Sequence, residues 1–171
     1  GIIMQVYLHD TDKSMPHFLE FPVKTRDDYR KILKPRLTGP AEDRLPHDWD
    51  ARVAQWKNRT DPLNLFADRW GGFFGPLRNM MGLENLIYAF YDQPALVEEM
   101  MDDIADNMIR ITDRILQDTD IDFFSFWEDM GMKTGPLLSP SLFKQYMVPR
   151  YRRVVDFLRS RGVDVIFVDS D

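Results

Sequence analysis

Cysteine is absent from this 171-residue chain. A disulfide framework is therefore excluded within it, and so is a thiolate metal site. Histidine is scarce. His9, His17 and His47 all fall in the first third, without the spacing of a ligand set, and read as ordinary surface or satisfied residues. No apolar run approaches the roughly 18 residues of a membrane helix, and no signal peptide opens the chain, so the expected setting is cytoplasmic with no membrane contact. Without secretion, the sequon Asn58-Arg59-Thr60 is a chance match. Bases are outnumbered, 22 against 28 acids, for a net charge of −6. That sign argues against nucleic acid as a partner, because nucleic-acid surfaces favour basic proteins. What is present is ordinary for a globular protein: 44% hydrophobic and 29% charged residues, with length enough for one core.

Residues 3–8 and 17–23 read as short strands around the polar turn HDTDKSM, a hairpin. Thr25 is placed to cap a short helix with Asp27 and Asp28 in its first turn, and Pro35 limits it. Residues 48–58 carry Trp49, Val53 and Trp56 on one helical face. A short apolar run, LNLFA, ends in Asp68, Arg69 and Trp70. A helix is expected from Leu77 to Phe90. A second opens at Pro94, where apolar residues from Val97 to Ile115 recur every three or four positions. Residues 121–127 read as a strand. Ser139 caps the next helix, Pro149 should kink or split it, and Gly162 ends it before a strand at 163–168. Strands alternating with helices imply parallel pairing with helical crossovers. The fold expectation is therefore α/β: a portion of a (β/α)8 barrel with an N-terminal β-hairpin. Residues 1–59 supply hairpin and helices and 60–171 the βα units of a single partial domain. A whole barrel needs about 250 residues.

The stretch FFSFWEDMG, residues 123–131, raises the functional question, because an apolar strand runs straight into Glu128 and Asp129. LNLFA runs likewise into Asp68, and VIFV into Asp169 and Asp171. Active sites of parallel α/β folds gather at the carboxyl ends of strands, so these acids are expected on one rim. Strand alternation puts Phe123, Ser125, Trp127 and Asp129 on one face and Phe124, Phe126 and Glu128 on the other. The two Phe side chains suit packing under helices, and the small Ser125 suits a crowded barrel interior. Asp129 is therefore preferred to Glu128. A single acid after a strand is more often a cap or a solvated residue than a catalyst; recurrence over three strands favours the shared rim. The candidate catalytic set is Asp129, Asp169, Asp171 and Glu128, with Arg78, Trp127 and Asp68 as substrate-binding residues.

Other features carry less. GGFFGP before a helix offers backbone N–H groups to an anion with Arg78 nearby, against the plainer reading of a tight turn. The ten Met residues fall mostly on helix core faces. Lys144, Arg150, Arg152, Arg153, Arg159 and Arg161 decorate a helix pair and read as a solvated face.

Several of these stretches resemble the uroporphyrinogen decarboxylase superfamily. They are Glu128-Asp129-Met130-Gly131, Leu138-Ser139-Pro140-Ser141-Leu142-Phe143, Val148-Pro149-Arg150-Tyr151 and Asp169-Ser170-Asp171, with GPLRNMMGLENLIYAFYDQPALVEEMMDDI upstream. The resemblance is good over 60–171 and looser over 1–59. It implies a (β/α)8 barrel and one of two chemistries. The decarboxylases remove carboxyl groups from tetrapyrrole acetate side chains without a cofactor. Their relatives transfer methyl groups between a corrinoid and a thiol with the help of zinc. This chain departs from both: no Tyr follows Pro76, Asp129 stands where the decarboxylases have a strand-end Ser, and Asp169-Ser170-Asp171 stands where the methyltransferases have His-x-Cys. Asp169 and Asp171 offer oxygen ligands to a harder divalent metal instead. The expectation is a lyase acting on a small-molecule substrate. The rivals are a corrinoid-dependent methyltransferase and a non-catalytic fragment that self-associates, and a homo-oligomer is expected.

Overall fold

The computed structural model describes residues 1–6, 15–66 and 71–170. Asp68 and Asp171, both expected on the rim, lie outside the described residues, as do His9 and most of the HDTDKSM turn.

The hairpin strands are β1 (Ile3–Gln5) and β2 (His17–Glu20), paired antiparallel with Met4 across from Phe18. β2 stops short of the expected Val23, since Pro22 has no N–H to continue a ladder. Helix α1 (Arg26–Ile32) begins with a complete capping box: the Asp28 N–H donates to the Thr25 hydroxyl oxygen, and the Thr25 N–H donates back to the Asp28 carboxylate at 2.9 Å. Pro35 sits in the first turn of the short α2 (Lys34–Leu37), which follows directly. In α3 (Trp49–Lys57) Val53 is buried, and the Trp49 and Trp56 rings meet edge to face at 5.5 Å.

Strand β3 (Asn64–Phe66) leads to α4 (Phe74–Met81), α5 (Leu83–Asp92) and the 23-residue α6 (Pro94–Leu116). The single helix expected over 77–90 is thus two. Gly82 divides them with φ of +80°, a conformation that side-chain-bearing residues avoid, and a Cβ there would press into the Phe21 ring. Most of the stripe expected on α6 is core: Val97, Met100, Met101, Ile104, Met108 and Ile115 are buried, and Ile111 is half-buried.

Strand β4 (Phe123–Glu128) is followed by a small hairpin, β5 (Gly131–Met132) with β6 (Gly135–Pro136). Then come α7 (Pro140–Leu142), a π-helical turn at 143–147, α8 (Val148–Ser160) and β7 (Val165–Ser170). Ser139 caps α7 through the Leu142 N–H. The split expected at Pro149 is real. Lacking an N–H, the proline cannot continue the α ladder, and the preceding turn opens so that the Val148 N–H reaches back to the Phe143 carbonyl.

β3, β4 and β7 form one parallel sheet with β4 in the middle, in register Phe66–Ser125–Phe167. Leu65, Phe124, Phe126 and Ile166 pack into the helical layer. The other face is open: Phe66, Val165 and Phe167 are each more than half exposed. Parallel strands are normally covered on both faces.

One expectation needs correction here. The basic residues of the last helix pair are not simply a solvated face. Arg150 forks onto Asp102 at 2.8 and 2.9 Å, Arg153 pairs with Asp106, and Arg161 pairs with Asp113. Those acids lie on α6, and the three pairs tie α6 to α8 and the residue that ends it.

Candidate active site

The carboxyl end of β4 is gripped by the N-terminus of α4. A helix leaves its first four N–H groups without intrahelical partners. In α4 these belong to Phe73, Phe74, Gly75 and the residue at position 76, which is proline and has none. The other three all donate to one carboxylate, Glu128: Phe73 to Oε1, and Phe74 and Gly75 to Oε2 at 2.9 and 3.1 Å. The Tyr151 hydroxyl, from α8, donates to Oε1 as well. The GGFFGP segment is therefore an anion cradle, and the anion is internal. The positive end of the α4 dipole favours a negative charge there.

Gly72 makes the approach possible. A Cβ at that position would fall on the Glu128 carboxyl group and against the Trp127 carbonyl. The Phe73 and Phe126 rings stand edge-on to Tyr151 at 4.9 and 5.0 Å and close the cradle. Glu128 is fully buried. Burial pushes its carboxyl above the ordinary carboxylate range, while the Tyr151 hydroxyl and the three amides pull the other way. Burial and the Glu128 charge together push the Tyr151 phenol up.

Asp129, one residue on, behaves differently. Its carboxylate pairs with Arg78, which lies one turn into α4 and also donates to the Asp129 carbonyl at 3.4 Å. Both partners remain partly open to solvent. Across the ladder Trp127 stands beside Asp169 of β7, and both belong to the open face of the sheet. On that face the Ser125 hydroxyl donates to the Asn64 side chain at 3.0 Å, tying β4 to β3.

Of the expected rim, Asp129, Asp169, Trp127 and Arg78 share the carboxyl end of the sheet. Glu128 reaches the same end but turns into the helical layer, where four donors occupy it. Alternation along the strand separates Asp129 from Glu128 in the same sense. Sequence reasoning missed Tyr151 and Gly72 as partners in the site. The signal for Tyr151 lies in the Val-Pro-x-Tyr element; that for Gly72 is the doubled glycine before FF. Among the described residues no group of three or more His, Asp or Glu side chains could hold a metal ion. No helix among them is long and apolar enough to cross a membrane.

The fold and the site define an α/β protein of parallel βα units whose candidate chemistry lies at strand ends. The family model described as uroporphyrinogen decarboxylase (URO-D) matches residues 4–168, and the chain belongs to that family. No curated protein and no solved structure matches it.

Proposed function

We propose that the chain forms consecutive βα units of a (β/α)8 barrel and carries the catalytic rim of a cofactor-independent carboxy-lyase that decarboxylates tetrapyrrole acetate side chains. The observation that supports this reading is the Arg78–Asp129 pair just past the end of β4, with Trp127 and Asp169 across the ladder from each other at the same end of the sheet. Decarboxylation breaks the bond between the methylene carbon and the carboxylate, releases CO2, and leaves an electron pair that a protonated pyrrole accepts. A proton then completes the methyl group, and the ring gives up the proton it took at the start. A guanidinium suits the leaving carboxylate, a carboxylate suits the transient pyrrole cation, and an indole suits the ring face. Arg78 thus orients the acetate arm, Asp129 stabilises the ring cation, and Trp127 supports the macrocycle.

Full-length protein incubated with uroporphyrinogen under reducing conditions should release CO2 and yield products with fewer carboxyl groups by mass spectrometry. Asp129→Asn should lower kcat by about 100-fold, a typical size for one positioned charge or proton-transfer group. Arg78→Ala should chiefly raise KM. Turnover indifferent to Asp129→Asn would overturn the assignment, and cobamide-dependent methyl transfer to a thiol would replace it.

A further inference from the structure

We propose that Glu128 and Tyr151 are positioning residues for this site: their shared clamp on the first turn of α4 holds Arg78 in register with Asp129. The inference rests on the reading of Arg78 and Asp129 as the reacting end of the site, but its geometry stands independently. Consecutive strand residues grip one helix at two points. Glu128 takes its three free amides and Asp129 takes the guanidinium one turn further on. Helix α4 cannot slide or rotate without breaking the first set, and Arg78 cannot keep its partner if it does. Tyr151 extends the grip to α8, which is itself fixed on α6 by the Arg150–Asp102 fork. The open face of the sheet is thereby coupled to the helical layer behind it through a residue that never faces substrate.

Among the described residues, Gly72 passes against the Glu128 carboxyl, and the carboxyl's polar neighbours come from three elements. From α4 and its lead-in they are the backbone amides of Phe73, Phe74 and Gly75; from α8, the Tyr151 phenol; from β7, Ser170 lies across the ladder. Tyr151 is the titratable member. Protonating Glu128 turns charge-assisted hydrogen bonds into weaker neutral ones, which loosens the hold on the Phe73, Phe74 and Gly75 amides and with it the placement of Arg78. The folded protein raises this carboxyl above its ordinary value. Its contribution to stability is therefore full below that ordinary value and declines as pH rises through the folded one. Protonation does not unfold the chain. Activity should fall on the acid side while the fold persists, which a merely structural role would not produce.

The test uses the full-length protein and two variants. Tyr151→Phe removes one donor that stabilises the charged form, so the acid limb of kcat/KM should move up by roughly one pH unit, the size of one hydrogen bond to a charged acceptor. Circular dichroism should change little. Glu128→Gln should speed hydrogen exchange at the Phe73, Phe74 and Gly75 amides and move the Arg78 guanidinium NMR signal toward its solvent-exposed position, without any substrate. As a control, Asp129→Asn should move the Arg78 signal but leave the three amides protected. If uroporphyrinogen is not turned over, the decarboxylase reading fails while the exchange and guanidinium measurements still judge the clamp. Should Glu128→Gln not fold, an acid titration of the Arg78 signal in the parent and in Tyr151→Phe decides the matter: the clamp requires the transition to move up in the variant. An Arg78 signal that stays in place while the amides are released, or an acid limb unmoved in Tyr151→Phe, overturns the proposal.

Discussion

Gly72 is the residue on which the strand end depends most directly, although it carries no chemistry. Its missing side chain lets the backbone pass against the Glu128 carboxyl and the Trp127 carbonyl, and the Trp127 N–H donates to the Gly71 carbonyl at 2.8 Å in the same crossing. Gly72→Ala would force either the carboxylate off its three amides or the loop off the strand. We expect a loss of about 3 kcal/mol in urea unfolding, the upper range for overpacking a close-packed site. Gly39→Ala is the control. The nearest atom to a Cβ there is the Pro35 carbonyl oxygen at 3.8 Å, an ordinary contact, so stability should stay within about 0.5 kcal/mol of the parent. Equal losses in the two variants would show that glycine flexibility, rather than the approach to Glu128, matters at position 72.

Among the elements, α1 and α2 are fastened to α6 by charge. Glu99 takes Arg26, Arg30 and Lys34, while Asp103 takes Lys34 at 2.8 Å and the Tyr29 hydroxyl at 2.8 Å. Hydrogen bonds from Arg30, Lys34 and Arg26 hold the Glu99 carboxyl down to about 2, from an ordinary 4.5. A depressed acid contributes stability that is full above its unfolded value and is lost as pH falls through its folded one. The Glu99 contribution should therefore fade between about 4.5 and about 2. Glu99→Gln should cost about 1 kcal/mol at pH 7, the scale of a partly solvated ion pair, and its melting temperature should converge on the parent's across that window. A gap independent of pH would assign the loss to packing. Elements like these are legible in the sequence to differing depths. The α1 cap, the α6 stripe, the Ser139 cap and the break at Pro149 are local patterns, and sequence spacing carries them. The break at Gly82 is hidden because apolar residues run through it at helical spacing, and the need for a positive φ leaves no periodic trace. The α4 cap is hidden for another reason: its capping carboxylate comes from a strand more than fifty residues later in the sequence, so no local signature announces it. For the same reason Arg150 and Arg153 of α8 read as solvated, since their partners sit on α6.

At the scale of the whole molecule, β7 is the element that the described fold leaves incomplete. Its core, Val165-Ile166-Phe167-Val168, is apolar on both faces, as a strand buried on both sides would be. Only Ile166 is half-buried; Val165, Phe167 and Val168 are all more than half exposed. Phe167 meets Phe123 edge to face at 5.6 Å on the open face, and Phe66 is exposed on the β3 edge of the same face. In a closed barrel this face would pack as interior and deliver Asp129, Asp169 and Trp127 to the rim. Among the described residues the apolar face lies open, and such surfaces associate. We therefore expect the isolated chain to scatter light as more than one copy. Joint replacement of Phe66 and Phe167 by Asp, which places charge on that face without touching Glu128, Tyr151 or the helical core, should return it to the mass of one chain. If the parent chain is already monomeric, cover from a second copy is not what this face requires. If the double variant still associates, contact between copies runs through another surface, of which the exposed Ile3, Met4, Phe18 and Leu19 of the β1–β2 hairpin are the next to change.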